Sequence, residues 1–474
     1  MTPGILSDTA SKAIFLTVFI WRYTRLAVNI ISYNFLYKPS PRRVNPRYTP
    51  GDCSVIVPTI DPGNPRFRDC IRSVLSNNPD TVHVVTAGLG RHGHERLNGI
   101  KKVTGELQRE LSSRARVVVS LIEHPNKRHQ VAHAMRKIHT EITVLLDDSV
   151  TWGSEFLPSM LAAFEDPDTA FVGTKKRVVR VEDSKTGLAR FWSMGWQFLG
   201  SIYLERHNFE VRATNAMDGS VFVISGRTSA IRTEIVNTSD FLTYFENERF
   251  FFGLLGPLNP DDDNAITRYV LKSRRFPRWK IKWQATEEAT IDTVLGVDPE
   301  RFIKQNLRWT RTTWRSNSCS VFTDRTAWRF PYGLFAIYLH SFVQFSLFAD
   351  ATMLFTVTQT SQYQTSRFPG LLLGCLAGFI LLGKIAKLVP YLKRNPADVR
   401  FLPFFYFPFA YLHSFLRLWA LLTFWDCEWS GRDLKAIDHE SDGADEAQHR
   451  DGELAIPMDR LVERHPDGLQ VASG

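Results

Sequence analysis

The sequence contains few cysteines, and their positions exclude two common uses of that residue. The cysteines are odd in number and scattered along the chain, at Cys53, Cys70, Cys319, Cys375 and Cys427. This spacing matches neither a zinc site nor a disulfide framework, which indicates a reducing compartment for the main domain. We also expect no cleavable leader, because the first apolar stretch is too long and no small-residue cleavage site follows it.

Acidic residues are in the minority, since 58 lysines and arginines outnumber 49 aspartates and glutamates. A net charge of +9 can indicate nucleic acid binding, but cytosolic segments beside membrane spans also carry such an excess. We favour the second interpretation, because residues 331–425 are strongly apolar and aromatic while residues 42–301 look like a globular enzyme. The predicted partners therefore include membrane lipids and no nucleic acid, and the oligomeric state is left open.

Apolar segments near both ends of the chain predict a membrane region. Residues 13–36 are long enough to cross a hydrocarbon core of about 30 Å, although Arg22 and Arg25 interrupt them. Three more apolar segments, residues 331–356, 369–392 and 403–425, are each near the length of about twenty residues that a spanning helix needs.

Four basic residues interrupt the last two of these segments. Charge at such depth is costly unless it faces protein, water or a polar solute. We predict that Lys384 and Lys387 extend toward a membrane surface. His413 and Arg417 lie deeper, and we predict that they line a polar channel.

Between the membrane segments, short β-branched runs alternate with polar, helix-like stretches. The runs are CSVIVPTI, TVHVVTA, RVVVSLI, ITVLLDD and TAFVGT. Such alternation predicts an α/β fold with a doubly wound, mainly parallel sheet. Ligands of these sheets bind at the carboxyl ends of the strands. Asp61, Asp147 and Asp148 each follow a strand, so we expect them at one crevice.

Two acidic clusters and one helical face carry the predicted chemistry. Asp147 and Asp148 offer the hard oxygen ligands that hold Mg²⁺ or Mn²⁺ beside a diphosphate, although a turn or capping role is as common. The run 261–263 (DDD) opens a helix-like stretch, where acids also suit the helix dipole. Gln305 and Arg308 share one face with Trp309, at the spacing of three and four that a helix requires.

The helix-like segment 188–203 has one face rich in tryptophan. That face suits either the membrane interface or the core of the globular domain, and the pattern does not separate the two. A basic stripe around Arg308 could likewise serve a sugar diphosphate or anionic lipid headgroups.

The ordered set VPTID, LLDDSVTW, DDDNAIT and QNLRW, followed by apolar spans and WSGR, resembles the processive family-2 glycosyltransferases. These include hyaluronan, chitin and cellulose synthases, and the resemblance is closest to the hyaluronan-synthase-like fungal type-2 glycosyltransferases. It covers nearly the whole chain except the tail. It implies a cytosolic GT-A-like catalytic domain in an integral, plasma-membrane enzyme that uses Mn²⁺ or Mg²⁺. The implied substrates are a UDP-sugar donor and a growing polysaccharide, extracellular or of the cell wall.

The resemblance also implies a role for each matching residue. Asp61 would touch the uridine, Lys127 and Arg128 would contact the nucleotide or diphosphate, and Asp147 and Asp148 would bind ribose and metal. Asp263 would be the catalytic base with Asp262 beside it, while Gln305, Arg308 and Trp309 would position the diphosphate and the growing chain. Trp429 and Arg432 would belong to a gating segment over the nucleotide.

The implied domain order is an anchor helix (1–40), a catalytic domain (41–300), an interfacial helix and linker (301–330), three membrane helices (331–426), a gating segment (427–439) and a disordered acidic tail (440–474).

Two departures from the family pattern stand out. Ser149 occupies the position of a second metal-binding acid, and TVHVVTAGL ends without the aspartate that many members use for the base. The Ser149 departure leaves a catalytically silent scaffold open as an alternative. A non-processive, ceramide-glucosyltransferase-like glycolipid synthase also stays open, because it would share the acidic motifs and the QxxRW face.

Overall fold

The structure is a computed structural model that describes residues 6–427 except 124–125, 183, 251–252, 259, 276 and 344. Its strands are β1 (Cys53–Pro58), β2 (Thr81–Ala87), β3 (Arg116–Ile122), β4 (Ile142–Leu146), β5 (Thr169–Thr174), β6 (Lys176–Val178), β7 (Thr228–Arg232), β8 (Lys280–Gln284) and β9 (Ile291–Thr293). Its α-helices as far as residue 318 are α1 (Asp8–Ile31), α2 (Pro65–Ser76), α3 (Gly90–Leu111), α4 (Lys127–Met135), α5 (Phe156–Leu161), α6 (Gly187–Asp218), α7 (Thr233–Val236), α8 (Ser239–Glu246), α9 (Asp262–Lys272) and α10 (Pro299–Ser318). The C-terminal helices are α11 (Pro331–Gly333), α12 (His340–Val343), α13 (Ser346–Thr358), α14 (Ser361–Gln364), α15 (Pro369–Ile385), α16 (Val389–Arg394) and α17 (Phe407–Leu421).

The main sheet has the strand order β3-β2-β1-β4-β7-β5-β8. Strand β7 runs antiparallel to both of its neighbours, and the other pairs are parallel. A second small sheet pairs β6 with β9. All five strands predicted from the sequence are present, so the mainly parallel sheet is confirmed.

The sheet is covered on both faces, as its sequence pattern requires. Val55 and Val57 on β1 pack in the apolar cluster that contains Phe67 of α2. Ile56, which lies between them, packs in a different cluster with Val131 of α4. Successive side chains of a strand point to opposite faces, so both faces of β1 are buried. This burial explains why the strand is a continuous apolar run.

The membrane prediction is supported for two helices. Residues 8–36, which are α1 and a π-helical turn (Ser32–Leu36), and residues 369–394 are long and apolar enough to span. Residues 331–358 form two helices inclined by 84°, which is the shape of a broken span or a re-entrant loop. The segment 403–425 forms α17 and a preceding π-helical turn (Leu402–Tyr406), and it is not among the described helices that are long and apolar enough to cross a membrane.

The two lysines predicted to extend toward a membrane surface turn inward instead. Lys384 pairs with Asp350 at 2.8 Å and is 7% exposed. Lys387 pairs with Glu210 at 3.0 Å. The prediction is wrong because acids on other helices supply nearby partners that the local sequence does not reveal.

Helix α6 is twice as long as the helix-like segment that predicted it. Its residues Phe198, Leu199 and Ile202 pack in one apolar cluster with Phe405. Its first turn is different, because Leu188 is 72% exposed. The middle of α6 is therefore a core helix, while its beginning presents an apolar surface.

Candidate active site

The ends of β1 and β4 form one wall of the site. These strands are parallel neighbours, so their carboxyl ends meet at the same edge of the sheet. The Thr59 hydroxyl, just past β1, donates to Asp148 Oδ2 at 2.8 Å. The backbone N–H of Asp61 donates to the same hydroxyl at 3.3 Å, and Asn64 donates to Asp61 Oδ2 at 3.3 Å. The predicted convergence of Asp61 with Asp147 and Asp148 therefore follows from strand pairing.

Lys127 joins the two acidic motifs. It begins α4, whose first turn is capped by the Asn126 side chain. Its ammonium lies 2.9 Å from Asp147 Oδ1 and 3.0 Å from Asp262 Oδ2. Burial by itself lowers the pKa of Lys127, but these two carboxylates outweigh it and the net shift is upward. Lys127 is thus a fixed positive charge at the centre of the site.

The three consecutive aspartates have three different environments. Asp261 has a left-handed backbone (φ 68°) and is buried. It accepts hydrogen bonds from Arg315 Nε at 2.9 Å and from the Thr312 hydroxyl. Asp262 pairs with Lys127. Only Asp263 has no cation in direct contact within the part of the chain that the structure describes.

Asp263 is held by N–H groups instead. Its Oδ2 accepts from Gly226 N at 3.1 Å, and its Oδ1 accepts from Asn264 N at 2.8 Å. Burial and the neighbouring Asp262 charge raise the pKa of Asp263 to about 6. Burial also acts to raise the pKa of Asp262, but Lys127 outweighs it and that pKa lies below its usual range. The pKa values of these two adjacent carboxylates are thus shifted in opposite directions, a pattern typical of acid–base sites.

Arg128 does not face the crevice. It is fully buried, and its guanidinium donates to Phe245 O at 3.0 Å, to Glu248 Oε2 at 2.8 Å and to Pro260 O at 2.7 Å. A fully buried side chain held by these three acceptors cannot touch a nucleotide in this conformation. Its role changes from the predicted ligand contact to support of the backbone that precedes Asp261.

Helix α10 supplies the opposite wall. Asp298 caps its first turn by accepting from Arg301 N at 3.2 Å, and Pro299 occupies the first helical position, where proline is favoured. The Trp309 indole stacks on Tyr203 with 5.2 Å between ring centroids. Gln305 is half-buried one turn earlier.

The Arg308 guanidinium, which follows Gln305 by three residues, makes no ion pair among residues 6–427 that are described. Its charge nevertheless acts on both Asp262 and Arg227. Arg308 is therefore close enough to the acidic residues for its charge to act there.

One residue of the site was missed by the sequence reasoning. Arg227 precedes β7, and its guanidinium carbon lies 5.3 Å from the centroid of the Trp309 ring. Its carbonyl accepts from Asp147 N at 2.9 Å. Burial lowers the pKa of Arg227, and the charges of Asp147, Arg308 and Asp263 all act on it. The only sequence signal was the Gly226–Arg227 pair after the apolar run VFVIS.

The carboxylates fit one mode of metal binding. No group of three or more histidine, cysteine, aspartate or glutamate side chains that could hold a metal ion exists among the described residues. Mg²⁺ is, however, commonly held by one or two carboxylates together with substrate phosphates. Asp147 and Asp148 provide such a pair of hard oxygen donors, and they follow the same strand end.

Two predictions concern residues near the C-terminus: a polar channel lined by His413 and Arg417, and a gating segment with Trp429 and Arg432. The contacts of the first pair are described below, and the channel itself stays a prediction. Arg417 donates to the Ser341 carbonyl and lies over Trp314, 5.4 Å from that ring's centroid. His413 lies 6.4 Å from Tyr203, ring to ring. Trp429 and Arg432 fall outside the described residues.

Comparison with known proteins places these features in context. Residues 50–312 match the family model described as "Glycosyltransferase like family 2". A "Type 2 glycosyltransferase" of Gibberella zeae is 34% identical over 90% of this chain and 76% of its own length. The hyaluronan synthase of Streptococcus pyogenes is 21% identical over 85% of this chain and 87% of its own length.

Among solved structures, the mannosyltransferase PcManGT from Pyrobaculum calidifontis, in complex with GDP-Man and Mn²⁺, aligns with 86% of this chain and 99% of its own. The TM-score is 0.49 and the identity is 15%. At that level of likeness, its donor and its metal say nothing about this chain.

Proposed function

The chain belongs to family 2 of the glycosyltransferases, and from that premise we propose that it extends a polysaccharide from a UDP-sugar donor at the cytosolic face of the plasma membrane. It is a glycosyltransferase with a GT-A-like fold. The observation that carries the proposal is the Lys127 bridge, which brings Asp147 and Asp262 to one point. Asp263 lies beside this bridge and has no cation in direct contact among the described residues.

The donor binds at the ends of β1 and β4 in this proposal. Asp61 contacts the uridine, and Asp147 contacts the ribose. Asp147 and Asp148 would hold Mn²⁺ or Mg²⁺, which neutralises the diphosphate when it is bound. Arg308 supplies a guanidinium that makes no ion pair within the described residues, and this planar group matches phosphate oxygens.

The transfer step is an inverting displacement. Asp263 takes the proton of the acceptor hydroxyl, and the hydroxyl oxygen attacks the anomeric carbon. The bond from that carbon to the diphosphate oxygen breaks, and the electron pair leaves with the UDP. Arg308 and Lys127 stabilise the charge that develops on the leaving diphosphate. A base whose pKa is about 6 is ionised at neutral pH while it still accepts a proton readily.

The acceptor end lies against the wall formed by Trp309 and Tyr203. Their rings stack with an interplanar angle of 25°, and aromatic surfaces suit the apolar faces of sugars. Tyr203 lies on α6, which packs against the C-terminal helices through Phe405. We propose that the growing chain passes from this wall between those helices.

The direct test uses the full-length chain purified in a membrane mimic. It is incubated with a panel of UDP-sugars and Mn²⁺, released UDP is measured, and the product is divided between an organic extract and an aqueous high-mass fraction. We expect UDP release with at least one donor and label in the high-mass fraction. Label confined to the organic extract would indicate a glycolipid synthase, and a folded protein that releases no UDP with any donor would indicate a silent scaffold.

Removal of divalent metal tests the carboxylate pair in the same assay. Asp147 and Asp148 offer only two carboxylates, so a chelator should remove the metal from them. We therefore expect chelation to stop UDP release and added Mn²⁺ to restore it. Full activity in the presence of excess chelator would contradict the proposed metal.

A further inference from the structure

The turn before β7 lies between the two acidic motifs of the site. Gly226 N donates to Asp263 Oδ2 at 3.1 Å. The carbonyl of the next residue, Arg227, accepts from Asp147 N at 2.9 Å. These two hydrogen bonds hold the backbone of Gly226 and Arg227 between the end of β4 and the proposed base. The Arg227 side chain therefore begins at the centre of the site.

From that point the Arg227 side chain extends to the wall formed by α10. Its guanidinium carbon lies 5.3 Å from the centroid of the Trp309 ring, and Trp309 itself stacks on Tyr203. The guanidinium is also close enough to Asp147 and Asp263 for their charges to act on it. One side chain thus reaches from the acidic motifs to the aromatic wall.

The Arg227 guanidinium makes no ion pair and no hydrogen bond within the part of the chain that the structure describes. Two other buried cations near the sheets, Arg232 and Lys176, also lack a carboxylate partner there, but neutral acceptors bind them. Arg232 Nε donates to Thr169 O at 2.7 Å, and the Lys176 ammonium lies 3.0 Å from His207 Nδ1. A guanidinium carries several N–H donors, and those of Arg227 are left for a ligand.

A ligand in the crevice can reach Arg227, because this residue is partly exposed. The ligand must offer acceptors, since a guanidinium donates hydrogen bonds and accepts none. Of the groups in the proposed donor, the diphosphate fits best, because phosphate oxygens pair with the planar guanidinium through charge-assisted hydrogen bonds. Lys127 is already shared between Asp147 and Asp262, so the diphosphate needs further cations.

We propose that Arg227 is a further catalytic residue, which binds the diphosphate of the donor together with Arg308. The proposal rests on the proposed function, because it takes the end of β4 as the donor site. When the bond from the anomeric carbon to the diphosphate oxygen breaks, the electron pair stays on that oxygen. Arg227 donates N–H groups to the phosphate oxygens while this charge develops. Since its guanidinium also contacts Trp309, the donor site and the acceptor wall share one side chain.

Calorimetry of nucleotide binding to the full-length chain, in nanodiscs of neutral phosphatidylcholine, tests this role. The probes are UDP and uridine, each with and without Mn²⁺, so that loss of metal is not mistaken for loss of the guanidinium. Arg227→Gln should weaken UDP binding by about tenfold or more, the contribution of one hydrogen bond to a charged group, and leave uridine binding unchanged. Arg227→Lys should keep part of the UDP affinity, because the charge remains while the planar fork is lost.

The matched control is Arg367→Gln. The Arg367 guanidinium lies 5.4 Å from the centroid of the Phe368 ring, so this variant removes the same kind of aromatic contact before α15, and UDP binding should not change. If Arg227→Gln binds UDP as tightly as the wild-type chain, the proposal is overturned. It is also overturned if UDP and uridine binding fall in the same proportion, because Arg227 would then only support the shape of the site.

A measurement on the wild-type chain decides the question if the Arg227 variants fail to fold. Phenylglyoxal modifies arginine side chains, and mass spectrometry of the digested protein reports the modification of each one. UDP should protect Arg227 and uridine should not, while Arg190, which is exposed on the first turn of α6, should react equally with and without UDP. Modification of Arg227 that UDP leaves unchanged would overturn the proposal.

UDP release, measured on the same preparations, separates this proposal from the proposed function. If the wild-type chain releases UDP from a donor but its UDP affinity does not depend on Arg227, only Arg227 is misassigned. If UDP binding depends on Arg227 but no donor is turned over, the diphosphate site stands and the proposed transfer reaction fails.

Discussion

The crevice and the buried structure behind it differ in how their charged side chains are partnered. Behind the crevice, the buried cations Arg128 and Arg315 each have a carboxylate partner at 2.8 Å. In the crevice, Asp263 and Arg308 make no ion pair with any residue that the structure describes. We infer that the paired charges hold the backbone around the site, whereas these two unpaired charges are available to the substrates.

The largest effect should come from the unpaired carboxylate. Asp263→Asn removes the base but keeps the shape and the hydrogen-bond acceptor for Gly226, so turnover should fall by about 10³-fold or more. UDP binding, measured by calorimetry, should stay within about threefold because the donor contacts lie on other residues. Intact turnover in this variant would remove the base assignment.

Removal of a paired cation should lower the stability of the fold more directly than it lowers turnover. Arg315→Met leaves Asp261 buried without its cation, and breaking a buried pair costs about 3 kcal/mol of unfolding free energy. Chemical unfolding of the purified protein measures the change. The matched control is Arg72→Met, which breaks an exposed pair with Glu110 and should change stability little. Equal losses in the two variants would show that burial does not decide the effect.

The unpaired guanidinium should have a smaller effect on turnover. Arg308→Gln keeps a polar side chain on α10 but removes the charge, so kcat should fall by about 10²-fold while the unfolding free energy stays the same. Arg301→Gln, exposed on the same helix, is the control. A loss of stability without a loss of kcat would place Arg308 among the structural cations instead.

The strands and the order of the acidic motifs were predictable because they depend on local patterns. CSVIVPTI and ITVLL are buried on both faces, so their sequence is continuous and apolar. Strand β7 has the mixed sequence TSAIR and runs antiparallel in the middle of the sheet, so no local pattern revealed it. Arg227 was missed with it for the same reason.

Partners that lie far apart in sequence explain the remaining differences. The sequence led us to predict that Arg128 contacts the ligand, because its actual acceptors, Glu248 and Pro260, lie more than a hundred residues away. The run 261–263 reads as three equivalent acids. Their separate roles depend on the left-handed backbone at Asp261 and on Arg315 of α10, and neither is visible in the run itself.

The pH dependence of kcat/KM tests the central claim that Asp263 is the base. Burial and Asp262 raise its pKa to about 6, so the active, ionised form is lost as pH falls through 6. We predict that kcat/KM is constant above about pH 7 and falls about tenfold per pH unit below about pH 5.5. A profile that stays flat between pH 5 and 7, with the protein folded throughout, would contradict the claim.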